Sequence, residues 1–127
     1  MPQKHILLVE DEDNIAAALQ VLIGRMGHRL TRVGDGAQAL EALDREPIDA
    51  VLLDIMLPRT SGYEVCQVIR TRPDLKDVKV LMMTARGGEV EKRKGMALGA
   101  DDFLIKPFAN AELTAKIAGL LDPGAHA

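Results

Sequence analysis

An α/β fold, with one parallel sheet and helices on both faces, is what this sequence predicts. Short apolar runs recur at Ile6–Val9, Leu30–Val33, Ile48–Leu53, Val78–Met83 and Phe103–Ile105. Stretches of helical period separate them, so strands alternate with helices. Strands this apolar are buried on both sides, which implies parallel pairing through right-handed helical crossovers.

The elements follow in order. The first helix begins near Asp13 or Asn14, carries Ile15, Leu19, Leu22, Ile23 and Met26 as an apolar stripe, and reaches Gly27 at its carboxyl cap. A second spans Gly36–Arg45 with Leu40 and Leu43 inward, and Pro47 ends it because proline disfavours helix in the residue before it. The third, Gly62–Arg70, buries Val65, Cys66 and Ile69. The fourth, about Gly88–Leu98, is the most polar, with Val90, Met96, Ala97 and Leu98 to anchor it, and is expected to be the least firmly packed. The fifth runs from Asn110, read as its N-cap, through Leu113, Ile117, Leu120 and Leu121 and stops before Pro123-Gly124. Residues 1–122 thus form one domain, with 123–127 expected to be a flexible tail.

Composition bounds the function. Hydrophobic residues make up 47% and charged residues 28%, the balance of a globular protein. Tyr63, Phe103 and Phe108 are the aromatics, so the core is aliphatic. A net charge of -3 argues against a nucleic-acid surface, which needs clustered Lys and Arg. Cys66 has no second cysteine to pair with, and the start MPQKHILLVE lacks the parts of a signal peptide, so a cytoplasmic location is expected. No apolar run approaches the roughly 18 residues of a membrane span.

Ligands of open parallel sheets bind beyond the carboxyl ends of the strands. Those ends carry Glu10, Asp11 and Glu12 after the first run, Asp54 after the third, Thr84 after the fourth and Lys106 after the fifth. The second ends in Gly34-Asp35-Gly36, a turn without a matching role. Singly, such residues are solvated acids, a helix cap and a surface lysine. Together on one edge they form a constellation. Asp54 is flanked by apolar residues, and a bare charge there is costly unless a cation and donors meet it. Glu10, Asp11 and a backbone carbonyl offer the hard oxygens that suit Mg²⁺. Lys106 adds a fixed positive charge and Thr84 a hydroxyl, so an anionic group on Asp54 has partners on several sides. That chemistry is phosphoryl transfer to a carboxylate.

The order Glu10-Asp11, Asp54, Thr84 and Lys106-Pro107, with VEDE, LLDIMLPRTSGYEV, MMTAR and GADDFLIKPF, resembles the receiver domain of two-component response regulators over about residues 4–121. The resemblance implies a flavodoxin-like sheet of strand order 2-1-3-4-5. It also implies a phosphorylation switch without turnover as an enzyme, fed by a histidine kinase or phosphotransfer protein through Asp54. Asp11 and Asp54 would ligate Mg²⁺ directly, Glu10 through water, and Met56 by its backbone carbonyl. Lys106 would pair with the phosphoryl group beside a cis Pro107, Thr84 would be the switch hydroxyl, and Phe103 the aromatic that turns inward. Such a switch needs about 5.5 kcal/mol of differential contact, and each hydrogen bond to a charged group contributes roughly 1.5 to 3. Met56 and Arg86 stand at positions that tune dephosphorylation and are expected to slow it, whereas Tyr63 reads as a surface residue.

The output face implied is the fourth helix, fifth strand and fifth helix. Lys92, Lys94 and Lys116 face Asp101, Asp102 and Glu112 in the pattern by which related receivers form symmetric dimers; a merely solvated face fits equally. No effector domain follows residue 121, so the expected reader is a separate partner or a domain of a longer regulator. The enzyme alternative, a haloacid-dehalogenase-type phosphatase, needs a second Asp where Met56 stands. A receiver-like scaffold would have lost Asp54, Lys106 or the acid pair.

Overall fold

The computed structural model describes residues 3–85 and 88–122. Five strands, β1 (His5–Val9), β2 (Arg29–Val33), β3 (Ala50–Asp54), β4 (Lys79–Thr84) and β5 (Asp102–Ile105), alternate with α1 (Asp13–Arg25), α2 (Gly36–Arg45), α3 (Gly62–Thr71), α4 (Glu89–Ala97) and α5 (Asn110–Leu121). All pairings are parallel, in the order β2-β1-β3-β4-β5. The doubly wound architecture and strand order are those expected.

Period-two alternation sorts the strand residues into two cores. Leu7, Val9, Val51, Leu53, Val80, Met82 and Phe103 meet Ala39, Ala42, Leu43, Val65, Cys66 and Ile69 of α2 and α3. On the other face Ile6, Leu8, Leu52, Leu81, Met83 and Leu104 meet Leu19 and Ile23 of α1 and Leu113 and Ile117 of α5. The sheet is therefore sealed on both sides, which leaves its carboxyl edge as the place for polar chemistry.

Asp54 and Thr84 stand at the carboxyl ends of their strands, as expected, each as the last residue of the hydrogen-bonded ladder. Several other local expectations are corrected. Asn110 is the first helical residue of α5, and Ala109 holds the cap position without a side-chain hydrogen bond. Val90 and Met96 do not anchor α4: they are 74% and 41% exposed, while Gly95 is the buried residue of that helix. A Cβ at Gly95 would lie 2.7 Å from the Met82 sulfur, so α4 approaches the sheet through the absence of a side chain. Gly34-Asp35-Gly36 does have a role. Asp35 caps α2 by accepting from the Gln38 N–H at 2.8 Å, and its other oxygen pairs with Arg59 at 3.0 Å. The residues 123–127 read as a tail lie outside the described residues.

Candidate functional site

Each acid reaches the site because its strand or the turn behind it ends there. Val9 of β1 registers with Leu53 of β3, so Glu10 and Asp54 emerge side by side. Glu10 and Asp54 are buried, at 1% and 5% exposure, whereas Asp11 is exposed. Carboxylate oxygens of the three lie within 4.8 Å of one another. The loop after β3 is drawn in tightly: a Cβ at Gly62 would strike the Asp54 carbonyl oxygen and lie 2.8 Å from the Ile55 Cα. Glycine is required here by close approach of backbone to backbone.

Lys106 crosses to the acids from the end of β5. Its Nζ donates to Glu10 Oε1 at 2.6 Å and to Asp54 Oδ2 at 2.9 Å. Asp54 Oδ1 accepts from the Met56 N–H at 2.9 Å, and Glu10 Oε2 from the Glu12 N–H at 3.2 Å. The Lys106-Pro107 peptide is cis. Burial pushes the Glu10 carboxyl above its ordinary range, and the Asp54 charge adds to this against the pull of Lys106. For Lys106, burial opposes the charge, but the hydrogen bonds and charges of Glu10 and Asp54 outweigh it and raise the ammonium pKa. Two carboxylates thus share one ammonium with a third beside them, leaving surplus negative charge on hard oxygens. That donor set fits a small divalent cation.

Thr84 is buried at 1% exposure, and its carbonyl accepts from the Lys106 N–H at 2.7 Å, which ties the ends of β4 and β5. Phe103 is turned into the core at 5% exposure. Met56 is 55% exposed at the mouth of a cavity of about 1220 Å³ that Asp54, Glu10, Asp11, Lys106 and Phe108 also line. Arg86 lies outside the described residues. Tyr63 is the residue that sequence reasoning undervalued: its hydroxyl donates to the Glu91 carbonyl at 3.3 Å, and the Lys94 ammonium stands 4.4 Å from its ring centroid. The signal available was the scarcity of aromatics in an aliphatic chain.

The comparisons with known proteins decide the family. The model of the response regulator receiver domain matches residues 6–118. This chain belongs to the receiver domain family. Receiver domains are the phosphoacceptor signalling switches of response regulators, which interact with histidine kinases, and they are not conventional enzymes; the phosphatase alternative finds no support. The chain is 45% identical over 120 residues to the sensory transduction protein RegX3 of Mycolicibacterium smegmatis, covering 94% of this chain and 51% of that protein. It spans about half the length of the curated relatives it matches. Among solved structures it is similar to the BeF3-activated DrrB receiver domain, with 32% identity, TM-score 0.85 and coverage of 95% and 99% of the two chains. It is also similar to the receiver domain of the sensor histidine kinase PA1611 from Pseudomonas aeruginosa, crystallised with a magnesium ion in its active-site cleft, with 31% identity, TM-score 0.86 and coverage of 94% and 98%. Among the described residues, no helix is long and apolar enough to cross a membrane.

Proposed function

We propose that this receiver takes a phosphoryl group onto Asp54 from a phosphohistidine of its kinase or phosphotransfer partner. The observation that carries the reading is the double engagement of Lys106 with Glu10 and Asp54 inside a cluster that remains net negative. Glu10, Asp11, Asp54 and the Met56 carbonyl are the residues that would hold Mg²⁺, a reading supported by the clustering of the three carboxylates and by the magnesium ion in the active-site cleft of the PA1611 receiver. When bound, the ion offsets the repulsion between the carboxylate and the incoming phosphoryl oxygens.

The remaining steps belong to the chain's own groups. A carboxylate oxygen of Asp54 forms the new O–P bond while the N–P bond of the donor breaks, and its electron pair returns to the donor imidazole. The Met56 N–H and Lys106 orient the Asp54 carboxylate for this attack. Lys106 then follows the charge from the carboxylate to the phosphoryl oxygens, and the buried Thr84 hydroxyl donates to another of them. Phe103, already inward, backs Thr84 from the same side of the sheet, since alternate strand residues share a face. Met56, flexible and apolar at the cavity mouth, shields the acyl phosphate and slows its hydrolysis together with Arg86. Self-directed phosphotransfer and autodephosphorylation are the only reactions expected of the chain.

The readout is the α4–β5–α5 face, offered to a downstream partner, to an effector domain of a longer regulator, or to a second copy. We place the domain in the cytoplasm, where histidine kinases present their phosphohistidine, with no nucleic-acid contact of its own. Incubation with Mg²⁺ and acetyl phosphate, read by intact mass, should add one phosphoryl group to the native chain and none to Asp54→Asn. Labelling that persists in Asp54→Asn would falsify the assignment. An unchanged phosphate lifetime in Met56→Asn would remove the shielding role of Met56.

A further inference from the structure

α4 is held at its two ends by different means. At its carboxyl end the backbone is pinned to α3: Cys66 Sγ donates to the Leu98 carbonyl at 3.6 Å, and Arg70 Nε to the Gly99 carbonyl at 2.8 Å. Arg70 continues into a fixed network, reaching the Val78 carbonyl at 2.7 Å and Asp101 at 2.7 Å. In the last turn, Gly95 rests on Met82 and Phe103 with no side chain of its own. Val90, in the first turn, points to solvent. In the amino-terminal half the described contact with α3 is the Tyr63 hydroxyl on the Glu91 carbonyl, and the same ring lies beneath Lys94 where the last turn begins. Burial and the nearby Glu91 charge hold the phenol protonated, which keeps the donor in place.

The other end of this strap is rooted at the site. Tyr63 follows Gly62, the residue pressed against the Asp54 carbonyl, and Gly62 N–H donates to the Ile55 carbonyl at 2.9 Å. A change in the backbone at Asp54 therefore moves the start of α3, and with it the Tyr63 ring. We infer that Tyr63 is a positioning residue that straps the amino-terminal half of α4 to the acceptor loop and couples the state of Asp54 to α4. The helix then pivots about a carboxyl end fixed by Cys66 and Arg70. This rests on the reading of Asp54 as acceptor.

The test is amide hydrogen exchange and beryllofluoride titration, with Mg²⁺ present, on the native chain, Tyr63→Phe, Tyr63→Leu and Lys94→Gln. Tyr63→Leu should speed exchange at residues 92–94 about fivefold or more while 98–101 stay protected. Tyr63→Phe and Lys94→Gln, each removing one contact, should give smaller rises in the same amides. The beryllofluoride midpoint, followed by 19F NMR, should shift about threefold or more in Tyr63→Leu, because a group that biases two states must alter ligand affinity by linkage. Equal exchange at both ends of α4, or no rise at 92–94, overturns the strap. A midpoint within threefold of native overturns the coupling, since a purely structural role leaves it unmoved. Should the native chain take no beryllofluoride, the Asp54 reading and the coupling fail together, while the exchange data still decide the strap.

Discussion

The two edges of this sheet handle charge in opposite ways. At the amino edge, Arg70 gives its guanidinium to the carbonyls of Gly99 and Val78 and to Asp101, and Asp101 in turn accepts from the Val80 N–H at 2.8 Å. On the same edge, the ring of buried His5 contacts the Pro47 carbonyl and the Thr31 hydroxyl, and its backbone N–H donates to Asp49. Donors and acceptors close on one another there. At the carboxyl edge Glu10 and Asp54 share Lys106 with Asp11 beside them, and negative charge is left over. One edge spends its polar groups on holding the fold, and the other keeps a charge imbalance that a cation and a phosphoryl group can resolve.

That contrast can be broken at several points. The largest effect is expected from Asp54→Asn, which should abolish labelling by acetyl phosphate while the protein stays folded, as intact mass and far-UV circular dichroism would register. Arg70→Met should do the reverse. It removes the donors of the Gly99 and Val78 carbonyls, while Asp101 keeps the Val80 N–H, so urea unfolding should show a loss of roughly 1 to 2 kcal/mol, with labelling of the folded fraction retained. Glu10→Gln tests the imbalance itself. Removing one of the crowded carboxylates should weaken Mg²⁺ binding about tenfold by calorimetry, yet raise metal-free stability by on the order of 1 kcal/mol.

The smallest effect concerns His28 at the amino edge, whose Nδ1 accepts from the Lys4 N–H at 3.1 Å. Burial, aided by the Lys4 charge and opposed by Asp49, lowers its pKa below the ordinary 6.5. Its contribution to stability is therefore complete above that ordinary value and is lost as the pH falls through the lower folded value. The drop in unfolding free energy between pH 7.5 and 5.5 should be smaller in His28→Gln than in the native chain, by a few tenths of a kcal/mol at about this exposure.

The carboxyl edge was largely legible in the sequence, because parallel strands end in register and the chemistry of Glu10, Asp11, Asp54, Thr84 and Lys106 follows each apolar run directly. The amino edge was not. Arg70, Asp101 and Gly99 are far apart in the chain or look like ordinary surface residues, and the side chain of Arg70 has meaning only once α3 lies beside the turn before β5. The fourth helix misled for a related reason. Its apolar residues suggested anchors, but the spacing that faces β4 places Gly95 inward and turns Val90 and Met96 out. Hydrophobicity marks what a side chain would prefer to touch, and a helix that packs through its backbone carries no such mark.

The glycine at position 62 extends the contrast to mutational tolerance. In a saturation library scored for beryllofluoride uptake, Glu10 should accept Asp or Gln at reduced affinity, since other oxygens can serve. Position 62 should accept nothing at all. Even Ala places a carbon against the Asp54 carbonyl and the Ile55 Cα, where neither backbone atom can yield without moving Asp54. The most stringent column in such a profile would then belong to a residue with no side chain, and a search for the site by charge alone would pass over it.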